Sequence, residues 1–559
     1  MDQNLSKQTN GAECIVNTNC GAVRGVVENG YLCFKGIPYA MAERFKAPQK
    51  TSWSGIYDGT RFGKKAIQVY DRPMPWLKEL PKREEFDEDC LNLNIYVPAA
   101  GEDGLGCNGS GEDGNVNTVA GADASCNVGA GEDGKTNAAA IAGKKLPVLV
   151  EIHGGAFQDG SNQGHTPDRV IGSHQFIYVP INYRLGALGF MPLDAFLGEA
   201  YAGSGNCGLL DQMSALRWIY ENIQAFGGDP ENITLLGSSA GAKSIGALML
   251  MEELNTYVNQ IILSSGATQS VRSLDTGTKT TEAFLKTAAQ VLERHITASD
   301  LLTMPADDII KIQKVYTDRP GNTCLFGPVA DGAVIPVDWE PLAKNGTLWS
   351  GNAMIGSSRH ELCFMQMMNP DLWKAASESA KGLFGLNAPL AHEVFDAFVE
   401  AERARLGHDP EDADKNQEWV RIFTDYMYRM YSYRLAKRMS GKGCHVWQYS
   451  VELLPAAHCF DQMLAFEGAD AMFFRDEESL NTARALGQKI HETFAYFIEN
   501  GTLCTENGQT GPSVPEFIQG WLPLTEENYC QMVWDKESKV VKIPKGDVLE
   551  GFPEGVYRL

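Results

Sequence analysis

Six short stretches decide what this chain can fold into: "LPVLVEI" at 146–152, "FIYVPIN" at 176–182, "NITLL" at 232–236, "NQIILS" at 259–264, "NAMIG" at 352–356 and "HVWQY" at 445–449. Each is shorter than an ordinary helix and largely apolar at consecutive positions, so a strand made from it must be covered on both faces. Half-exposed antiparallel strands alternate instead, and runs of this kind belong to a mostly parallel sheet with helices against both faces. Between the second and third runs, Met213, Leu216, Ile219 and Ile223 recur at three- and four-residue spacing, the period of one buried helix face. Strand and helix signals in alternation predict an α/β architecture.

A length of 559 residues allows three or four average domains, but large α/β enzymes run that long as one unit, and we read 1–559 as a single domain. Only 100–145 departs from the pattern. Residues 101–140 divide into four tens, "GEDGLGCNGS", "GEDGNVNTVA", "GADASCNVGA" and "GEDGKTNAAA", nearly free of large apolar side chains. Such a degenerate repeat cannot bury enough surface to offset its ordering entropy, and it lacks the glycine and aspartate spacing of calcium-binding repeats. We expect a disordered insert that enlarges a loop between two strands, "LNLNIYVP" before it and "LPVLVEI" after.

Charge narrows the partners. A formal net charge of -23 is the wrong sign for nucleic acid or an anionic membrane, both of which need a basic surface. No stretch reaches the roughly 18 apolar residues of a membrane helix, and "MDQNLSKQTNGAEC" lacks the basic and apolar regions of a signal peptide, which predicts a cytoplasmic protein. The 13 cysteines form no CxxC pair, and most are expected to be reduced and buried. "RHELCF" resembles the start of a zinc-protease helix, but Phe364 stands where the second histidine belongs, so no metal is expected.

The chemistry concentrates in "NITLLGSSAGAKS" at 232–244, an apolar strand followed by Gly-x-Ser-x-Gly and then a helical pattern. Glycines on either side of a central serine permit a sharp strand-to-helix turn that lifts the side chain above a sheet. Counted from Gly237, that serine is Ser239, and Ser238 precedes it. A serine needs a base to take its proton and donors for the oxyanion that its attack creates. "LVEIHGGAF" ends another strand in Gly154 and Gly155, whose backbone can approach a reacting carbonyl, and the N–H of Ala240 opens the helix after the turn.

These segments, together with "FKGIPYA" at 34–40, "EDCLNLNIYVP" at 88–98, "INYRLGALGF" at 181–190, "GNCGLLDQMSALRWIYENIQAFGGDPENITLLGSSAGAKS" at 205–244 and "FGPVADGAVIP" at 326–336, resemble the type B carboxylesterases, the family of carboxylesterases and cholinesterases with the α/β-hydrolase fold. The resemblance covers most of the chain outside the insert. It implies a triad in the order serine, acid, histidine. "AMIGSSRHELCF" matches the family's acid and nominates Glu361, with Asp331 of "VADG" as the nearest rival; "LLPAAHCFDQMLAFEG" matches the histidine and nominates His458. Departures are local: Ser238 stands where glutamate is usual, Leu362 where glycine is usual, and Pro455, Ala456 and Ala457 precede His458 where a Gly-Ala pair is common. Secreted relatives pair the cysteine matched by Cys90 with one about 25 residues earlier; none lies between Cys33 and Cys90, in keeping with a cytoplasmic location.

The resemblance implies a cofactor-free serine carboxylesterase in which His458 deprotonates Ser239, Glu361 orients the imidazole, and Gly154, Gly155 and Ala240 bind the oxyanion. A histidine base predicts activity rising with pH through roughly 6 to 7. An ester of small to medium, mainly uncharged and apolar character is the expected partner, and a monomer the expected state. An amidase or carbamate hydrolase with the same triad is the alternative within enzymes, and a non-catalytic interaction domain the alternative outside them. Phe157, Phe364 and Trp76 are candidate pocket residues, with Met365, Met367 and Met368 beside Phe364.

Overall fold

The structure, a computed structural model, describes residues 13–71, 79–99, 145–318, 326–339, 349–363, 400, 424–467, 473–474, 476–504 and 514–543. Its spine is a 13-stranded sheet. In chain order the strands are β1 (Glu13–Thr18), β2 (Gly21–Glu28), β3 (Tyr31–Pro38), β4 (Ile56–Asp58), β5 (Asn92–Pro98), β6 (Leu146–Ile152), β7 (Ile177–Ile181), β8 (Gly228–Ser238), β9 (Gln260–Ser264), β10 (Asn352–Ser358), β11 (Val446–Val451), β12 (Cys530–Trp534) and β13 (Lys539–Lys542). In space they run β1-β2-β3-β5-β7-β6-β8-β9-β10-β11-β12-β13, with β4 beside β2. Every neighbouring pair from β7 to β12 is parallel, and the flanking pairs along that path are antiparallel.

All six apolar runs are strands of the parallel part, β6 to β11, for the reason their composition implies. Val148, Val150 and Ile152 of β6 and Ile233 and Leu235 of β8 enter one core, while Leu149, Leu236 and Tyr178 of β7 enter the other. Helix α1 (Cys207–Asn222) covers the first face with Met213, Leu216 and Ile219, and Ile223 continues the stripe into a 3-10 turn. The later helix Glu477–Asn500 covers the second with Leu486, Ile490, Phe494 and Phe497. Each such side chain contributes about 1.5–3 kcal/mol when fully buried, so neither face of the sheet is stable uncovered.

Two differences from the sequence-based expectation are instructive. Strand β8 begins at Gly228 and ends at Ser238, longer at both ends than "NITLL". Strand β12 was not expected, because Cys530, Met532 and Trp534 are buried while Gln531 and Val533 are not; a search for runs apolar at every position passes over such alternation. The insert read at 100–145 lies, up to residue 144, outside the described residues. The strands it joins, β5 and β6, lie on either side of β7.

Register prepares the site. Ile152, Gly237, Leu263, Ile355 and Gln448 pair across five adjacent strands as one row. The chain leaves β6, β8, β9, β10 and β11 just beyond this row, at the carboxyl edge where parallel α/β sheets build their sites. His153, Gly154, Gly155, Ser239, Ser265, Glu361 and His458 all follow those exits.

Candidate active site

Strand β8 ends at Ser238 and helix α2 (Ala240–Leu248) starts two residues later, leaving Ser239 as the whole connection. Its backbone sits at φ 52° and ψ −116°. A side-chain-bearing residue there stores roughly 1–3 kcal/mol of strain and persists only where its surroundings over-determine it. They do: the Ser239 N–H donates to the Ser264 carbonyl at 2.9 Å, and the Ser239 carbonyl accepts from the Lys243 N–H at 2.9 Å. The elbow glycines are needed for close approach. A Cβ on Gly237 would lie 2.5 Å from the Gly241 carbonyl carbon, and one on Gly241 would lie 2.0 Å from the Ile152 oxygen.

The three residues nominated from sequence meet. His458 Nε2 lies 2.7 Å from Ser239 Oγ, and His458 Nδ1 lies 2.5 Å from Glu361 Oε2. Glu361 Oε1 accepts the Ser358 N–H at 2.7 Å, and its side chain is 0% exposed. An ionised carboxylate only accepts, so Nδ1 carries the proton and the Nε2 lone pair faces the serine hydroxyl. Burial acts to lower the His458 pKa; the adjacent Cys459 thiol and the Glu361 carboxylate outweigh it and push the imidazole above the ordinary histidine value. Asp331, the rival acid, instead accepts the N–H groups of Ala333 and Val334 at 3.0 and 2.8 Å and holds a turn.

Several neighbours escaped the sequence analysis. Asp461, buried in the turn after His458, accepts hydrogen bonds from the Ser264 and Tyr449 hydroxyls. Burial raises its pKa, with the two hydroxyls acting against the shift. The Ser265 hydroxyl accepts the Cys459 N–H at 3.1 Å, and the His360 N–H donates to the Ala456 carbonyl at 3.0 Å. These bonds tie the histidine loop to the ends of β9 and β10. The Tyr428 ring packs 4.9 Å from the imidazole. An acid inside the apolar stretch "HCFDQMLAF" was the available signal for Asp461.

Gly154 lies flush against the elbow: its Cβ would stand 2.9 Å from the Ser238 carbonyl oxygen and 3.3 Å from Ser239 Cβ. Gly155 follows at φ 104°, and buried Ala240 supplies the first N–H of α2, where helix geometry leaves donors without intrahelical partners. Ser238 is partly exposed, and its Oγ is on the Gly154 side. Phe157 is buried, edge-to-face with Phe190 at 5.0 Å. Trp76, Phe364, Met365, Met367 and Met368 lie outside the described residues. Cys33 and Cys90 are both buried and free.

The model of the carboxylesterase family matches residues 12–548. Para-nitrobenzyl esterase of Bacillus subtilis (strain 168) is 28% identical over 555 residues, covering 95% of this chain and 97% of the relative. Mouse neuroligin-2 is 30% identical over 440 residues, 74% of this chain but 48% of the neuroligin. Among solved structures, the Geobacillus stearothermophilus carboxylesterase EST55 superposes with a TM-score of 0.74 at 28% identity, over 96% of this chain and 100% of that one. A family pattern matched along nearly the whole chain, on a sheet whose carboxyl edge holds a hydrogen-bonded serine, histidine and glutamate, establishes that the protein belongs to the carboxylesterase family and is a carboxylic ester hydrolase.

Proposed function

We propose that the protein hydrolyses small to medium, mainly uncharged apolar esters through an acyl-enzyme on Ser239. The supporting observation is the unbroken chain from Ser239 Oγ through His458 to Glu361, with spacings of 2.7 and 2.5 Å. As the serine attacks the ester carbonyl, His458 Nε2 takes its proton, and Glu361 stabilises the imidazolium while holding its tautomer. The N–H groups of Gly154, Gly155 and Ala240 receive the negative oxygen. Collapse of this intermediate expels the alcohol, which takes the proton from His458; water, deprotonated by the same nitrogen, then releases the acid. The name of para-nitrobenzyl esterase points to an aromatic apolar ester, and a net charge of -23 disfavours anionic substrates.

In this reading the enzyme works as a cytoplasmic monomer without cofactor, and 1–559 forms one catalytic domain. No described helix is long and apolar enough to cross a membrane. A non-catalytic interaction domain is disfavoured because a strained serine aligned with a base is costly to keep without use. Turnover of p-nitrophenyl esters of graded acyl length, with matched anilides and carbamates, tests the proposal. Fastest turnover of short and medium esters supports it; preference for anilides or carbamates favours the amidase or carbamate-hydrolase alternative, and no turnover of any of them sinks it.

A further inference from the structure

The oxyanion segment is a tight turn, in which the Gln158 and Asp159 N–H groups donate to the Gly155 carbonyl at 2.8 and 3.0 Å. After Gly155, both Ala156 and Phe157 adopt positive φ, 52° and 62°, each a conformation that costs a side-chain-bearing residue free energy. Side chains hold it from behind. His153 Nδ1 lies 2.8 Å from the Gly154 carbonyl oxygen, and since a carbonyl only accepts, Nδ1 bears the proton. In a trans peptide the carbonyl and the following N–H point in opposite directions. Fixing the Gly154 oxygen toward the imidazole therefore turns the Gly155 N–H away from it.

We propose that His153 is a positioning residue for the oxyanion hole, gripping the Gly154 carbonyl so that the Gly155 N–H is aimed at the oxygen that becomes negative when Ser239 attacks. The inference rests on the acyl-enzyme mechanism above and adds a residue that contacts no substrate. Its surroundings serve the same bond. The His153 ring stacks on Tyr183 at 4.5 Å and 22°, and the Tyr183 hydroxyl donates to the His153 carbonyl at 3.0 Å. Gly160 leaves room for the contact: a Cβ there would stand 2.3 Å from Nδ1 and 2.8 Å from the Gly154 oxygen. Gly160 is itself clamped by Gln68, whose amide nitrogen donates to its carbonyl at 2.9 Å and whose amide oxygen accepts its N–H at 3.0 Å. His153 Nε2 is buried with no hydrogen-bond partner among the described residues, and burial holds the ring pKa down at about 4. The ring therefore stays neutral with a single N–H, and the Gly154 oxygen fixes that proton on Nδ1.

His153→Phe keeps a ring against Tyr183 and removes the donor. With p-nitrophenyl butyrate, kcat is expected to fall on the order of 10- to 100-fold, less than the 10²- to 10³-fold loss of an oxyanion donor itself, with KM changed by less than about threefold. A trifluoromethyl ketone, whose serine adduct carries an oxyanion in the same place, loses affinity by a similar factor. His153→Asn, which restores an N–H near the carbonyl, recovers part of both. Gly160→Ala, which displaces the ring from the other side, reproduces the kcat loss and decides the matter if His153→Phe does not fold. Near-native kcat in a folded His153→Phe protein, or a kcat loss with unchanged ketone affinity, overturns the inference. If the wild-type enzyme turns over no ester, the failure lies with the mechanism; wild-type turnover with an indifferent His153→Phe variant removes only the role of His153.

Discussion

Ser239 and His458 stand 219 positions apart in the chain and 2.7 Å apart at the site, whereas Ser238, one peptide away, leans toward Gly154. Adjacent serines thus have unequal expected roles. Ser239→Ala should abolish ester turnover, by a factor on the order of 10⁶, and prevent labelling by a phosphonate. Ser238→Ala should keep labelling and most activity, losing at most a hydrogen bond worth about 0.5–1.5 kcal/mol. Peptide mapping that places the adduct on Ser238 would falsify the assignment.

The pH profile follows from the environment of His458. Its pKa is raised in the folded enzyme, and the neutral form is the base, so activity should rise with pH and reach half-maximum above the ordinary histidine value of roughly 6.5. The shift moves the limb upward from the ordinary histidine range expected from sequence. Glu361→Gln removes the nearby carboxylate, so the limb should move to lower pH while kcat falls on the order of 10³- to 10⁴-fold. The pH dependence of kcat/KM for both proteins checks this, and a limb unmoved by Glu361→Gln would assign the shift elsewhere.

Gly241→Ala should damage the elbow. Its Cβ would meet the Ile152 oxygen at 2.0 Å, backbone against backbone, so β6 or α2 must move at a cost of about 1–3 kcal/mol. Gly164→Ala, whose nearest neighbour would be 3.9 Å away, is the matched control. Denaturant midpoints and kcat for the pair should separate cleanly; equal behaviour would mean that the elbow has slack.

Behind the oxyanion strand, His165 pairs with buried Glu151 at 2.9 Å, and Glu151 also accepts the Tyr178 hydroxyl. Burial acts to lower the His165 pKa, but Glu151 prevails and pushes it up to about 10. A raised folded-state pKa stabilises fully below the unfolded value of roughly 6.5, and that stabilisation is lost as pH climbs toward 10. His165→Gln should therefore cost about 3–5 kcal/mol near pH 6 and progressively less by pH 9. Unfolding free energies across that range test the sign; a deficit that grows with pH contradicts it.

Replacing 101–140 by a short Gly-Ser linker should leave folding and turnover nearly unchanged, since loop length costs only about 0.6 kcal/mol per doubling. Loss of activity in a folded deletion would bring the repeat into the entrance of the site.

The sequence by itself determined the six parallel strands at the centre of the sheet and the helical stripe from Met213 to Ile223. Val148, Val150 and Ile152 alternate with Leu149 between two cores, and such two-sided burial is written locally, in consecutive apolar residues. The elbow was equally legible, because a strand, two glycines and a helix are adjacent in the chain. Only the tertiary structure decided between acids: Glu361 reaches His458 across 97 positions, while Asp331 gives one oxygen to a turn and the other to the Asn206 amide. It also brought in Asp461, and the hold of His153 on Gly154. These depend on strand register, which lines up Ile152, Gly237, Leu263, Ile355 and Gln448 and so sets which loops meet at the sheet's edge. No local pattern encodes that alignment, because it follows from the packing of whole strands against two faces of helices.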